Sequence, residues 1–263
     1  MYKVLTGAQM YSVRTLTQTQ EGLDATLKAL KEMGYTSVQL SGQNPTLDPS
    51  AVRDALDKYG LICPATHTSF TEYEENLDAL IARHQKWGCA HPGVGAMPFH
   101  FAEREEGYRE FARRANAVGK KLKDAGMNLI YHNHAFEFTR FSSTTGIEIL
   151  MNEFTDVQME LDVYWVQSGG GDPIEWIHKV AGRMDVVHFK EMVGRLPNEK
   201  NRSMTEMAPV GEGNFDWKKI MQACDDTGVQ YAFIEQDNAV ETDPLLCMKK
   251  SIDNLTALGG RFR

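Results

Sequence analysis

Residues 128–134 read NLIYHNH: an apolar run, Leu129 to Tyr131, that finishes in His132, Asn133 and His134. The run is short and strongly apolar, as a buried strand is. Polar side chains are costly to bury without partners, so a core strand ending in two imidazoles points to a site at that end. Three later runs repeat the plan. VQMELDV (157–163) carries Glu160 and Asp162, DVVHFK (185–190) carries His188 and Lys190, and QYAFIEQ (230–236) carries Glu235, with Asp237 just beyond. Four earlier runs, KVLTGAQMY (3–11), SVQLSG (37–42), LICPATH (61–67) and HPGVGAM (91–97), complete a set of eight. Most are too short for helices and rich in β-branched or aromatic residues. The fourth has weak strand propensity and takes its place from the order of elements.

Between these runs the spacing turns helical. TQEGLDATLKALKEMG (19–34) places Leu23, Leu27, Leu30 and Met33 on one face and stops at Gly34, a natural C-terminal signal. DPSAVRDALDKYG (48–60) opens with an aspartate cap and a proline in the first turn, as helix starts do. TEYEENLDALIARHQKWG (71–88) repeats the plan, and five further segments follow near 102–126, 144–153, 172–181, 215–228 and 243–259. Strand then helix, eight times, predicts a parallel sheet closed as a (β/α)8 TIM barrel. An open doubly wound sheet would carry a G-x-G-x-x-G loop after its first strand, and this chain has none there. No linker or low-complexity tract interrupts residues 1–263, which read as a single barrel domain.

The formal charge of −8 over 263 residues argues against a nucleic-acid partner, because such proteins usually carry a basic face. Cys63, Cys89, Cys224 and Cys247 are scattered, so neither a disulfide framework nor a cysteine zinc site is expected. The first residues, MYKVLTGAQMYSVR, lack a basic-then-apolar leader, and no apolar run nears the roughly 18 residues that span a bilayer. A cytoplasmic protein with no membrane partner is the expectation. The sequence leaves a homo-oligomer open.

In barrel enzymes the site lies at the C-terminal ends of the strands, where these polar residues fall. Side chains on one strand face recur every two residues. His132 and His134 therefore share a face, as do Glu160 with Asp162 and His188 with Lys190, while Leu161, Val187 and Phe189 point outward to the helices. A mouth lined by imidazoles and carboxylates suits one divalent cation, Mn, Mg, Co or Zn. Each residue also has a plainer reading. A lone histidine is more often a hydrogen-bonded core residue, and Asp162 alone would serve as a helix cap. Glu160 reads as structural, lining a lower layer or pairing with an arginine. Glu212, in VGEGNFDW, reads as support for a turn. His67, Lys190 and Trp165 read as substrate contacts or as packing, Trp165 with Tyr164 as a wall on which a sugar stacks.

Taken together, GAQMYSVR (7–14), YHNHAFEF (131–138), MELDVYW (159–165), VVHFKEM (186–192), PVGEGNFDW (209–217) and FIEQD (233–237) resemble the xylose-isomerase-like barrel superfamily, the sugar phosphate isomerase/epimerase group. The resemblance covers nearly the whole chain. It implies one divalent metal held by residues of strands five to eight, and it carries over cleanly onto Asp162, His188 and Glu235. At strand five many relatives read Glu-Asn-His where this chain reads His132-Asn133-His134. His132 thus falls on the expected ligand glutamate, and Glu137 is the displaced alternative. His132 is expected to bind as a neutral imidazole, with its second nitrogen held by a carboxylate or carbonyl. The resemblance further implies Glu235, Glu137 and His134 as proton-handling groups, and His67, Trp165 and Lys190 as contacts to a small-molecule sugar.

The function it implies is a metal-dependent sugar isomerase or epimerase working through an enediolate on a small ketose or keto sugar. A lyase of the inosose dehydratase type, or one that eliminates from 3-keto sugars, is the alternative, because an imidazole at position 132 removes one of the two glutamates that epimerases use. A sugar-binding partner subunit with a degenerate site is the non-enzyme alternative.

Overall fold

The computed structural model describes residues 2–197 and 204–262. Eight parallel strands close into a barrel: β1 (Leu5–Gln9), β2 (Ser37–Leu40), β3 (Ile62–Thr68), β4 (His91–Val94), β5 (Leu129–His132), β6 (Val157–Asp162), β7 (Val186–Phe189) and β8 (Tyr231–Ile234). Each pairs with its neighbours in sequence, and β8 returns to β1 in a register running from Leu5–Tyr231 to Ala8–Ile234. The main intervening helices are α1 (Gln20–Met33), α2 (Pro49–Tyr59), α3 (Leu77–Trp87), α4 (Glu105–Asp124), α5 (Gly146–Glu153), α6 (Pro173–Lys179), α7 (Trp217–Thr227) and α8 (Pro244–Ala257). The (β/α)8 order expected from the sequence is the order observed.

The strand parity sorts the side chains into two cores. Tyr131, Leu161, Val187, Phe189 and Ile234 face outward into the main apolar layer between strands and helices. Inside the barrel, Ala65, Ile130, Val186 and Phe233 form a separate small apolar cluster. Each such large side chain, fully buried, contributes about 1.5–3 kcal/mol. The inner cluster lies one alternation below His67, His132, His188 and Glu235, so it floors the polar groups with dry packing. The weak propensity of β4 has a cause here. A Cβ on Gly93 would stand 3.0 Å from His67 Cδ2, and one on Gly95 would stand 3.1 Å from His67 Nδ1. At Gly93 the nearer obstacles are Thr66 O at 2.5 Å and Ile130 Cγ1 at 2.9 Å, so glycine there lets the neighbouring strands close in.

Some segments differ from the periodicity. The helix expected over 71–88 is two helices, Phe70–Glu75 and α3, because Asn76 takes φ −135° and ψ 35°. A short helix, Val163–Ser168, follows β6 directly and starts on Asp162, whose Oδ1 accepts the N–H groups of Tyr164 (2.8 Å) and Trp165 (3.1 Å). After β7 the chain forms an antiparallel hairpin, Glu191–Arg195 with Met204–Ala208. The buried Glu191 anchors the segment that follows it, accepting the Gly211 N–H at 2.9 Å and the Trp217 Nε1–H at 2.5 Å. Glu212, read as the support of that turn, instead pairs with Lys250 at 3.1 Å on the surface.

Candidate metal centre

Four side chains from successive strand ends meet in the barrel mouth. His132 closes β5, Asp162 closes β6, His188 stands next to last in β7, and Glu235 follows β8. Their ligand atoms all lie within 4.8 Å of one another. Register brings this about, since His132 pairs opposite Glu160 and Asp162 opposite His188. His132 Nε2 and His188 Nδ1 each stand 3.9 Å from Asp162 Oδ2, and His188 Nδ1 stands 2.9 Å from Glu235 Oε2. Ligands sharing one ion at about 2.0–2.3 Å stand roughly 3–4.5 Å apart. The donor set, two imidazoles and two carboxylates, fits a divalent cation.

A hydrogen-bonded layer lies beneath. Glu160, fully buried, accepts the Gln39 amide at 2.7 Å and stands 2.6 Å from His67 Nε2 and 3.2 Å from His188 Nε2. Gln39 Oε1 accepts from Gln9 Nε2 at 2.9 Å and faces His188 Nε2 at 2.6 Å. Glu160 is therefore a lower-layer residue, partnered by histidine and glutamine. Burial pushes its carboxyl up, but the His67 and His188 charges reverse this and bring it to about 2. Burial pushes His188 down, and Glu160 and Glu235 more than offset this, lifting it to about 10. With Nε2 committed to Gln39 and Glu160, Nδ1 is the nitrogen left to coordinate, and an ion arriving there displaces a proton.

His132 meets the test of a ligand from a different side. Its Nδ1 is buried with no hydrogen-bond partner. The carboxylate or carbonyl expected behind this ring is missing among the described residues. Instead His67, His134 and His188 surround it, at ring-centroid distances of 5.2, 4.9 and 4.5 Å. Burial, then the neighbouring imidazoles, hold His132 well below the usual histidine range. It is neutral, the form that binds metal.

Lys190 sits at the same mouth, its Nζ 2.9 Å from Asp162 Oδ2, 2.9 Å from Glu235 Oε2 and 3.1 Å from Asp237 Oδ2. Burial disfavours its charge, but these three carboxylates raise it above the ordinary lysine value. Burial likewise pushes Glu235 up, and Lys190 and His188 carry it well below the usual carboxylate range. Burial pushes Asp162 up, and burial with the Glu235 charge lifts Asp237 to about 6.

A cavity of about 520 Å³ opens over the cluster, lined by His67, His132, His134, Lys190, Glu235 and Asp237 together with Tyr11 and Arg14. His134 is held to about 4 by burial and by Lys190, so it is neutral, and its Nδ1 has no hydrogen-bond partner. Trp165, expected as a substrate contact, packs behind this lining, 5.3 Å from the His134 ring and 5.1 Å from Lys190 Nζ. Glu137, named from the sequence as a proton handler and as the alternative ligand, lies outside the cluster. Its Oε1 accepts the Tyr131 hydroxyl at 2.6 Å and its Oε2 accepts the His134 N–H at 2.8 Å. Tyr131 points outward, so the carboxyl is drawn to that side, where it caps the single turn Ala135–Phe138. Burial lifts it to about 8 against those hydrogen bonds. Gln9, Gln39 and Arg14 were not singled out from the sequence. Polar residues at inward positions of apolar strands were the available signal for the two glutamines.

Fold and cluster together define a (β/α)8 barrel with a candidate divalent-metal centre at the C-terminal mouth of its strands. The chain belongs to the xylose isomerase-like TIM barrel family, whose sequence profile matches residues 27–258. It is 25% identical over 252 residues to an inosose dehydratase from Lacticaseibacillus casei, covering 81% of this chain and 83% of that protein. It is 27% identical over 251 residues to an inosose dehydratase from Clostridium beijerinckii, with coverage of 81% and 83%. A sugar phosphate isomerase/epimerase from Parabacteroides distasonis superposes with a TM-score of 0.77 at 20% identity, over 97% of this chain and 98% of that one. A xylose isomerase-like TIM barrel protein from Mycobacterium smegmatis, solved in complex with magnesium, superposes with a TM-score of 0.71 at 14% identity, over 98% and 97%. The structural likenesses establish the fold. Among the described residues, no helix is long and apolar enough to cross a membrane.

Proposed function

We propose that this protein removes a proton from the carbon next to a ketone in a small keto-polyol and then expels the β-hydroxyl as water, a dehydratase reaction. One observation carries the reading. Glu137 is consumed by Tyr131 and the His134 N–H, which leaves His132 alone at the place where the resemblance puts the strand-five carboxylate. Two-face proton exchange needs an acid–base group on each side of the substrate, a task the resembling epimerases give to two glutamates, whereas elimination needs one base and one acid. The inosose dehydratase relatives support the same choice.

A divalent ion held by His132, Asp162, His188 and Glu235 would polarise the ketone and acidify the adjacent C–H. The chain supplies the rest. His134, neutral on the cavity wall, takes the proton as the carbon–carbon double bond forms. Lys190, kept protonated by its three carboxylates, gives a proton to the departing hydroxyl, which leaves as water. Glu235 holds both Lys190 and His188 in place. His67, fixed by Glu160, presents its remaining edge to a substrate hydroxyl.

The test is a screen of keto sugars, among them an inosose, fructose and fructuronate, with Mn²⁺-loaded protein in D₂O. Loss of one water by mass, with a new conjugated ketone absorbance, is the expected outcome. Deuterium uptake without water loss would instead establish epimerisation, and neither change on any member would refute proton abstraction altogether.

A further inference from the structure

Arg14 is a cation on the cavity wall whose charge nothing nearby answers. Its guanidinium is held by backbone carbonyls: Nη1 donates to Tyr11 O at 2.8 Å, and Nη1 and Nη2 donate together to Asp237 O at 3.2 Å each. The Tyr11 ring, 4.1 Å from Cζ, fixes its plane. No carboxylate among the described residues pairs with it. Asp237 gives Arg14 only its carbonyl and turns its carboxylate to Lys190.

These contacts engage the end pair of the guanidinium and the inner hydrogen of Nη1. The Nε–H and the outer hydrogen of Nη2 are left, parallel, along the side edge. That edge is the fork that a carboxylate binds with both oxygens. A phosphate is usually cradled by converging backbone N–H groups at a glycine-rich loop or helix start. The cavity wall carries Ser41 and Ser69, and Ser69 opens only the six-residue helix Phe70–Glu75, with its Oγ already on the Glu72 N–H. Arg14 also stands on the β1–β8 side of the cluster, tied to the residue two positions beyond Glu235.

We infer that Arg14 receives a carboxylate carried by the substrate away from its reacting carbons. The cavity then takes a keto-sugar acid or cyclic keto acid in preference to a neutral polyol. This deepens the keto-polyol reading above and rests on it. It also sets the chain apart from its relatives named for inosose, which bears no charge.

The probes are fructose, fructuronate and fructose 6-phosphate, which share one ketohexose frame and end in a hydroxymethyl, a carboxylate and a phosphate. Titration calorimetry on the full chain with Mn²⁺ is expected to give fructuronate at least about tenfold tighter binding than fructose, the scale of a charged bidentate contact. The preference should shrink as salt rises. Arg14→Gln should weaken fructuronate at least about tenfold more than fructose. Arg14→Lys, which keeps the charge and loses the fork, should recover less than half of that preference on a logarithmic scale. Equal binding of the three by the wild type, a preference surviving Arg14→Gln, or fructose 6-phosphate as the tightest ligand would each overturn the assignment. Water loss from a neutral inosose or fructose tests the parent reading separately, since it does not depend on a carboxylate being recognised.

Discussion

Replacing Glu137 by glutamine separates its structural role from the catalytic one its sequence context suggests. The carboxyl is buried and lifted from 4.5 to about 8. The folded protein therefore keeps a proton that the unfolded chain gives up between these values. The contribution is fully present below about pH 4.5 and is lost as pH rises through about 8. At roughly 1.4 kcal/mol per pH unit, that span corresponds to on the order of 5 kcal/mol. Glutamine copies the neutral carboxyl's shape, its carbonyl oxygen accepting the His134 N–H and its amide donating to the Tyr131 oxygen. Urea unfolding of metal-free wild type and Glu137→Gln at about pH 5 and about pH 9 reads the difference. Other buried carboxyls act equally in both proteins and cancel. The wild type should lose a few kcal/mol relative to the variant between these conditions, and the variant should be the more stable at the higher pH. Turnover should survive the change. Parallel stability profiles, or an inactive variant with an unchanged profile, would refute this placement and return Glu137 to the chemistry.

Glu235→Gln should keep the thermal midpoint within about 5 °C while turnover falls at least about a hundredfold; wild-type rates in the variant would remove Glu235 from the site. His132→Ala should lower Mn²⁺ affinity at least about tenfold, measured by titration, while Glu137→Gln retains it; equal affinity in both would show that neither position holds the ion. Because His188 is lifted to about 10 when no ion is bound, metal uptake at about pH 8 should release close to one proton, seen as a dependence of binding heat on buffer ionisation enthalpy. Affinity should fall steadily as pH is lowered from that region, and a profile flat from about pH 6 to 9 would contradict the doubly protonated His188.

The barrel was legible because two periods coincide along the chain. Alternation put His132, Glu160, Asp162, His188 and Lys190 on inward positions, and the same alternation put Leu161, Val187 and Phe189 on outward ones. The cluster followed from parity plus the rule that barrel chemistry sits at strand ends. What escaped the sequence were interactions without a period. Asn133 and Phe136 gave no sign that the chain turns after His134 and carries Glu137 out to Tyr131. Nothing local shows that Glu191, and not Glu212, is the carboxylate that turns inward, because that choice depends on Trp217 arriving from another element. Asp162 proved to be cap and cluster member at once, one oxygen for each task, so its two readings were never in competition.

The seam between β1 and β8 has a consequence for synthesis. Arg14 is made long before Glu235 and Asp237, and the cavity wall is complete only once they meet. A ribosome-bound chain that has not yet released β8 has an open sheet edge at β1 and no finished site. Such long-range closure is slow. A chain at that stage is seven-stranded and aggregation-prone, and inert toward substrate until β8 slots home.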